Sequence, residues 1–196
     1  TTQRSIPMNF RSARIALPAL VLTTFLAACD DDPTQPVDNE QELITEVTLT
    51  FTPSGGGPPM VAVISDPDGE GPLPPAAQLG ELAFTPGMTY NGTVQFVDRS
   101  DPANPEDITA EVEEEADEHR VFYTIAGMTG VEIDNLDTDG NGAPLGLTFD
   151  VVVDATASGT GTIQVVLSHF DDAPKGDGST PSDETDADVT FAASVS

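Results

Sequence analysis

Alternating apolar and polar positions predict a chain built mainly of β-strands. Between Leu43 and Thr52, Val47, Leu49 and Phe51 share one side and threonines occupy the other, which is the period of a half-buried strand. Similar runs predict further strands at 60–65, 88–98, 121–125, 131–133, 147–154, 160–170 and 187–195. Because turn residues separate these runs, we expect a mostly β domain, an antiparallel, immunoglobulin-like β-sandwich.

One segment has a helical period instead. Apolar residues recur every fourth position from Ile108 to Ala116, and the outward positions include Glu111, Glu114, Glu115 and Glu118. Asn104 is suited to cap a helix and Pro105 to occupy its first turn. The pattern therefore predicts one amphipathic helix over residues 105–118, packed against the strands.

The first 28 residues have the composition of an export signal. Arg11 and Arg14 precede an apolar run from Ile15 to Phe25, and Leu-Ala-Ala follows this run directly before Cys29. The run is too short to span a bilayer, which needs about 20 residues. A basic region, a short apolar core and small residues before a cleavage point are typical of secretory signal peptides.

The segment around Cys29 resembles a bacterial lipobox. The resemblance implies cleavage before Cys29, lipid on its sulfur and an acylated new N-terminus. It predicts a signal peptide at residues 1–28, an acidic flexible tether at 29–42 and a β-sandwich domain at 43–196. The protein would then reside in the cell envelope, anchored to a bacterial membrane, with the outer membrane or periplasmic face favoured.

The charge balance restricts the partners of such a domain. The chain has 34 Asp and Glu against six Lys and Arg, for a formal net charge of −28. All of the acidic residues follow Cys29, where the basic ones are Arg99, Arg120 and Lys175. A chain of this charge repels nucleic acid and attracts cations or basic proteins. We therefore expect no nucleic-acid partner, and contact with the membrane only through the lipid.

A short acidic loop offers a candidate calcium site. Asp137, Asp139 and Asn141 stand at the first, third and fifth positions of an Asp-Thr-Asp-Gly-Asn-Gly run, as in the first half of an EF-hand loop. Thr148 occupies the position of the bidentate glutamate. The alternative is a tight turn built by Asp and Gly between strands. Calcium is thus the one cofactor that the sequence suggests by a motif.

The two histidines offer a candidate transition-metal site. His119 follows Glu115 by one helical turn, and His169 ends a predicted strand. If the two histidines met, with Glu115 or Glu118 added, their donors would suit such a metal. The alternative is a histidine near a helix C-terminus and an unrelated one at a strand end.

No catalytic motif stands out in the sequence. It contains no G-x-S-x-G, phosphate-binding loop or H-E-x-x-H pattern. The acidic run from Glu111 to Glu118 is typical of a solvated helix face, with cation collection or partner docking as the alternative. We therefore expect a protein that is not an enzyme, and a hydrolase is the least favoured class.

Three segments carry a resemblance to a known family. They are Asp107–His119, with the sequence DITAEVEEEADEH, Asp137–Leu147, with DTDGNGAPLGL, and Val166–His169, with VLSH. Together they resemble a family of small bacterial lipoproteins, sometimes labelled "type 1 periplasmic-binding fold", that has no assigned activity. That label implies repeated βαβ units, whereas many strands and one helix favour the β domain.

These observations predict a lipid-anchored, exported binding or interaction module with a possible envelope protein partner. The second candidate function is a metal-binding accessory lipoprotein to outer-membrane uptake, holding calcium or a transition metal.

Overall fold

The computed structural model describes residues 42–68, 74–170, 175 and 179–196. The predicted signal peptide, Cys29 and nearly all of the predicted tether lie outside these ranges. Strands account for 57% of the described residues, which confirms the mostly β prediction. The elements are β1 (Glu46–Pro53), β2 (Met60–Ser65), β3 (Leu82–Phe84), β4 (Thr89–Val97), α1 (Ile108–Glu114), β5 (His119–Asp134), β6 (Thr148–His169) and β7 (Glu184–Val195).

All seven described strands belong to one sheet. Its order is β2-β1-β4-β6-β7-β3, and β5 pairs with β6 outside this path. Neighbouring strands are antiparallel except β3 and β7, which are parallel. Val63 of β2 exchanges backbone hydrogen bonds of 2.8 and 2.9 Å with Leu79, in the segment that leads into β3. The sheet is therefore nearly closed and barrel-like, and the predicted immunoglobulin-like sandwich is not confirmed.

A long hairpin of β5 and β6 dominates the sheet. The sequence pattern predicts two strands in place of each, because glycines interrupt both runs. In the structure Gly127 and Gly130 adopt positive φ angles of 76° and 70°, and the ladder shifts register on both sides of Met128. The glycines thus form bulges inside one continuous ladder and do not end the strands.

The inward faces of the strands form one apolar core. Phe51 packs edge-on against Phe84 and Phe149, with ring centroids 5.1 and 5.9 Å apart. Phe84 meets Tyr90 in the same way at 5.3 Å. Such edge-to-face pairs stabilise a core beyond their apolar area, so this aromatic cluster fixes β1, β3, β4 and β6 against one another.

Helix α1 is shorter than residues 105–118, and its predicted cap is wrong. The amide and carbonyl of Glu106 form backbone hydrogen bonds with Asp98. Glu106 is therefore extended, and the helix begins only at Ile108. Asn104 bonds to Asp101 instead of capping. After α1, residues 115–118 form turns that lead directly into β5. No helix among the described ranges has the length and hydropathy needed to cross a membrane.

Candidate metal centre

The hairpin brings the two histidines together. His119, the first residue of β5, is the ladder partner of His169, the last residue of β6. Their ring centroids lie 4.4 Å apart, and the residues are 0% and 2% exposed. The contact between the two histidines, which the sequence could not predict, thus follows from the pairing of two strands whose ends are 50 positions apart.

A bulge in β7 adds a carboxylate that sequence reasoning missed. Ala187 pairs with Leu167, and Thr185 pairs with Ser168, so Asp186 is the extra residue between them. A bulge turns a side chain away from the face that alternation assigns to it. Asp186 is accordingly only 2% exposed. Strict alternation from Ala187 would place it outside, and the sequence offers no signal for the bulge.

The geometry fixes the proton position on His119. Nδ1 lies 3.2 Å from the carbonyl oxygen of Glu115. Since a carbonyl only accepts, Nδ1 carries the hydrogen. Burial lowers the pKa of His119 to about 4, and the charges of His169 and Lys175 lower it too, against the raising effect of this bond. His119 is therefore neutral at pH 7, with the lone pair on Nε2.

The lone pair of His119 meets a carboxylate. Nε2 lies 3.6 Å from Oδ2 of Asp186, and it has no hydrogen-bond partner among the described residues. Because the imidazole is neutral, this contact is not an ion pair. A hydrogen bond from Nδ1 to a carbonyl and an electron pair on Nε2 are the usual state of a metal-ligating histidine.

His169 stands between two carboxylates. Its Nδ1 lies 4.0 Å from Oδ2 of Asp186, and its Nε2 lies 3.7 Å from Oε2 of Glu118. Asp186 therefore faces both imidazoles, and a cation held by all three side chains would be balanced by a negative charge.

The donor set fits a transition metal. His119, His169 and Asp186 each offer one ligand atom within 4.8 Å of the others. Tetrahedral Zn²⁺ with bonds of about 2.0–2.1 Å separates its ligand atoms by about 3.4 Å. The observed 3.6 and 4.0 Å need shifts of less than about 1 Å. Two imidazoles and one carboxylate also leave a fourth position for water.

A second donor group adjoins the first. Glu42 and Glu115 each place a carboxylate oxygen within 4.8 Å of the other and of a ring nitrogen of His119. Glu115 is exposed and Glu42 half-buried. The structure thus brings together the predicted pair Glu115 and His119, and it adds Glu42 from the start of the domain. Burial, then the charges of Glu111, Asp186 and Glu115, raise the pKa of Glu42 to about 7, with His169 opposing.

Lys175, the only lysine of the chain, contacts the backbone next to the site. The Lys175 ammonium is fully buried and lies 3.1 Å from Oδ2 of Asp139. It donates to the carbonyl oxygens of Ala116 and, at 2.7 Å, His119, and the Lys175 amide donates to Asp117. Lys175 therefore holds the turn before β5 and the backbone of His119 in place. Its surrounding loop carried no signal of this role.

The acidic loop forms a turn around its own aspartates. Oδ1 of Asp137 accepts a 2.7 Å bond from the Gly146 amide. Oδ1 of Asp139 accepts bonds of 2.8 and 2.9 Å from the amides of Asn141 and Ala143. Burial acts to raise the pKa of Asp139, but the Ala143 amide and the lysine outweigh it and lower the pKa. These bonds agree with the turn interpretation, and calcium at Asp137, Asp139 and Asn141 stays a prediction.

Comparisons with known proteins add no assignment. No protein-family model, no curated protein and no solved structure matches this chain. The resemblance to small bacterial lipoproteins therefore stays an expectation, and so does lipidation at Cys29.

Proposed function

We propose that this protein is a lipid-anchored envelope domain that binds a divalent transition metal through His119, His169 and Asp186. The observation that carries the proposal is the buried meeting of two imidazoles and a carboxylate, with His119 held in its metal-binding tautomer. The domain is then the metal-binding accessory of the two candidate functions, and it acts by binding and not by catalysis.

Burial of these groups favours a ligand over a purely structural role. Leaving a buried polar atom without a hydrogen bond costs about 1–3 kcal/mol, and Nε2 of His119 is such an atom within the described chain. A metal bound to Nε2 and to Asp186 would offset that cost. The hydrogen bond from Nδ1 to the Glu115 carbonyl oxygen would be retained.

The competing occupant is a proton. A protonated Asp186 could donate to Nε2 of His119 across the 3.6 Å contact after a small shift. A proton would make the cluster a structural element of the core. Metal binding and proton binding differ in stoichiometry and in spectroscopy, so one experiment separates them.

The test is a titration of the full chain with Zn²⁺ and Co²⁺. We expect one metal per chain and visible Co²⁺ bands typical of a four-coordinate site. Asp186→Asn removes the charge of a proposed ligand and should weaken binding by more than about 100-fold, because even the loss of a group that only supports a ligand costs about 10- to 100-fold. Asp188→Asn is the matched control, because Asp188 stands two positions along β7 with an exposed side chain.

Two outcomes would contradict the proposal. One is a wild-type chain that binds no stoichiometric Zn²⁺ or Co²⁺. The other is an equal loss of affinity in Asp186→Asn and Asp188→Asn, which would mean that the metal responds only to the overall charge of the chain.

The anchor is tested separately. The proposed lipid on Cys29 places the metal site at an outer membrane or periplasmic face, which suits an accessory to metal uptake. Cys29→Ser should release the domain from the membrane fraction or leave it uncleaved. A Cys29→Ser protein that is still processed and membrane-bound would contradict lipidation without affecting the metal proposal.

A further inference from the structure

We propose that Glu42 and Glu115 form an outer cation position through which a divalent metal reaches and leaves His119, His169 and Asp186. This inference rests on the proposed function and adds the route of exchange to it. The observation behind it is that the two carboxylates converge on the same imidazole that the inner triad uses.

The donors follow a gradient of burial. Glu115 is exposed, Glu42 is half-buried, and the inner residues His119, His169 and Asp186 are 0%, 2% and 2% exposed. A hydrated ion cannot enter a site this closed in one step, because losing its water without replacement is very costly. Carboxylate oxygens at the surface can replace part of that water first. The imidazoles can then take over the rest.

His119 joins the two positions. One of its ring nitrogens lies within 4.8 Å of carboxylate oxygens of both Glu42 and Glu115, and a ring nitrogen of His119 is equally close to the donors of His169 and Asp186. Its Nε2 is fully buried and has no hydrogen-bond partner in the described part of the chain. A metal can therefore pass from oxygen ligands to nitrogen ligands through displacements of a few ångströms.

Charge also favours this route. The negative charges of Glu111, Asp186 and Glu115 all act on Glu42. Clefts lined by one sign of charge raise the association rate of oppositely charged ligands by about 10- to 1,000-fold.

A small cavity also borders Asp186. Its volume of about 20 Å³ on the β1–β2 side of Asp186 is room for about one water molecule. Its lining combines aliphatic side chains with the carboxylates of Glu46, Asp66 and Asp188. The Glu42/Glu115 pair differs from this cavity because it lies within 4.8 Å of a ring nitrogen of His119, so an ion held there is next to an imidazole.

The test measures rates of metal exchange. Zn²⁺ is mixed with the full chain in a stopped-flow instrument at low ionic strength, and release is followed with a chromophoric chelator. The variant is Glu42→Gln with Glu115→Gln. The control is Glu113→Gln with Glu132→Gln, which removes the same charge from an exposed position of α1 and from the far end of β5.

We expect the Glu42/Glu115 variant to bind Zn²⁺ about tenfold more slowly than the control. Its release rate should fall by a similar factor, because an ion leaves by the path it entered, so the affinity should change by less than about threefold. Association as fast as in the control would overturn the inference. If release were then faster than in the control, the two carboxylates would be ligands of the resting site and not an entry position. In both cases stoichiometric Zn²⁺ binding by the wild type would leave the proposed function standing.

Discussion

Replacing Lys175 by Met should destabilise the whole domain. Its buried ammonium compensates the buried carboxylate of Asp139 at 3.1 Å and satisfies the carbonyl oxygens of Ala116 and His119. Methionine fills a similar volume without a charge or a donor. The variant therefore leaves one carboxylate and two carbonyl oxygens short of a donor inside the protein.

The magnitude follows from the burial of both partners. Each side chain of the pair is 0% exposed, and removing one partner of a buried ion pair costs about 3–5 kcal/mol. The amides of Asn141 and Ala143 still donate to Asp139, which places the cost towards the lower end of that range. A domain of this size has about 5–15 kcal/mol of stability in total. At about 2–4 °C per kcal/mol, Tm should fall by about 10 °C.

The assay is urea denaturation followed by circular dichroism, supported by thermal melts at the same pH and salt. Arg99→Met is the control, since Arg99 pairs with Glu46 at 2.8 Å but is 48% exposed. Exposed ion pairs contribute about 0–1 kcal/mol, so this variant should lose less than about 1 kcal/mol. Asp139→Asn in the Lys175→Met background should restore part of the stability, because it removes the uncompensated charge.

A loss below about 1 kcal/mol in Lys175→Met, equal to that of Arg99→Met, would refute the reasoning. It would mean that the carboxylate of Asp139 is well compensated without the lysine. A double variant less stable than both single variants together predict would refute the role assigned to charge and would indicate lost packing instead.

Three further outcomes are expected. Without metal, the free energy of unfolding of the wild type should fall by about 3 kcal/mol more than that of His119→Asn when the pH is lowered from 6.5 to 4. The reason is that His119 takes up a proton in the unfolded chain over this range, whereas its pKa in the folded chain is about 4. Equal pH dependence of urea unfolding in the two proteins would contradict this. Gly92→Ala should cost about 1–3 kcal/mol in urea unfolding, because its Cβ would lie 2.4 Å from the Phe149 ring. If the loop is a plain turn, Ca²⁺ and Mg²⁺ should raise Tm equally at matched ionic strength, whereas a calcium-specific rise that Asp137→Asn abolishes would favour the calcium hypothesis.

Local patterns predicted the strands but not the sheet. Alternation around Val47, Leu49 and Phe51 reports which face of one strand is buried, and the structure agrees. Such a pattern carries no information on which strand comes next to it. The single, nearly closed sheet depends on contacts such as Val63 with Leu79, and nothing in either residue identifies its partner.

The site could be predicted in part for the same reason. The sequence made His119, His169 and Glu115 candidates because their side chains can bind metals, and strand pairing supplied the meeting that periodicity could not. Asp186 was not predicted as a ligand because the bulge interrupts the alternation by which an inward residue is recognised. Lys175 was not predicted because buried charge is rare and its segment, with Asp, Pro and Gly around it, has the composition of an exposed loop.

The distribution of basic groups argues that the buried cluster is more than a by-product of packing. With 34 acidic residues, this surface attracts cations of every kind without discrimination. Selection among cations needs softer nitrogen donors, which prefer transition metals over Ca²⁺ and Mg²⁺. The chain has two histidines and one lysine, and the structure places both histidines in one donor set and the lysine against the backbone of His119. A protein that needed only charge repulsion and a β core would have no reason to bury all three together.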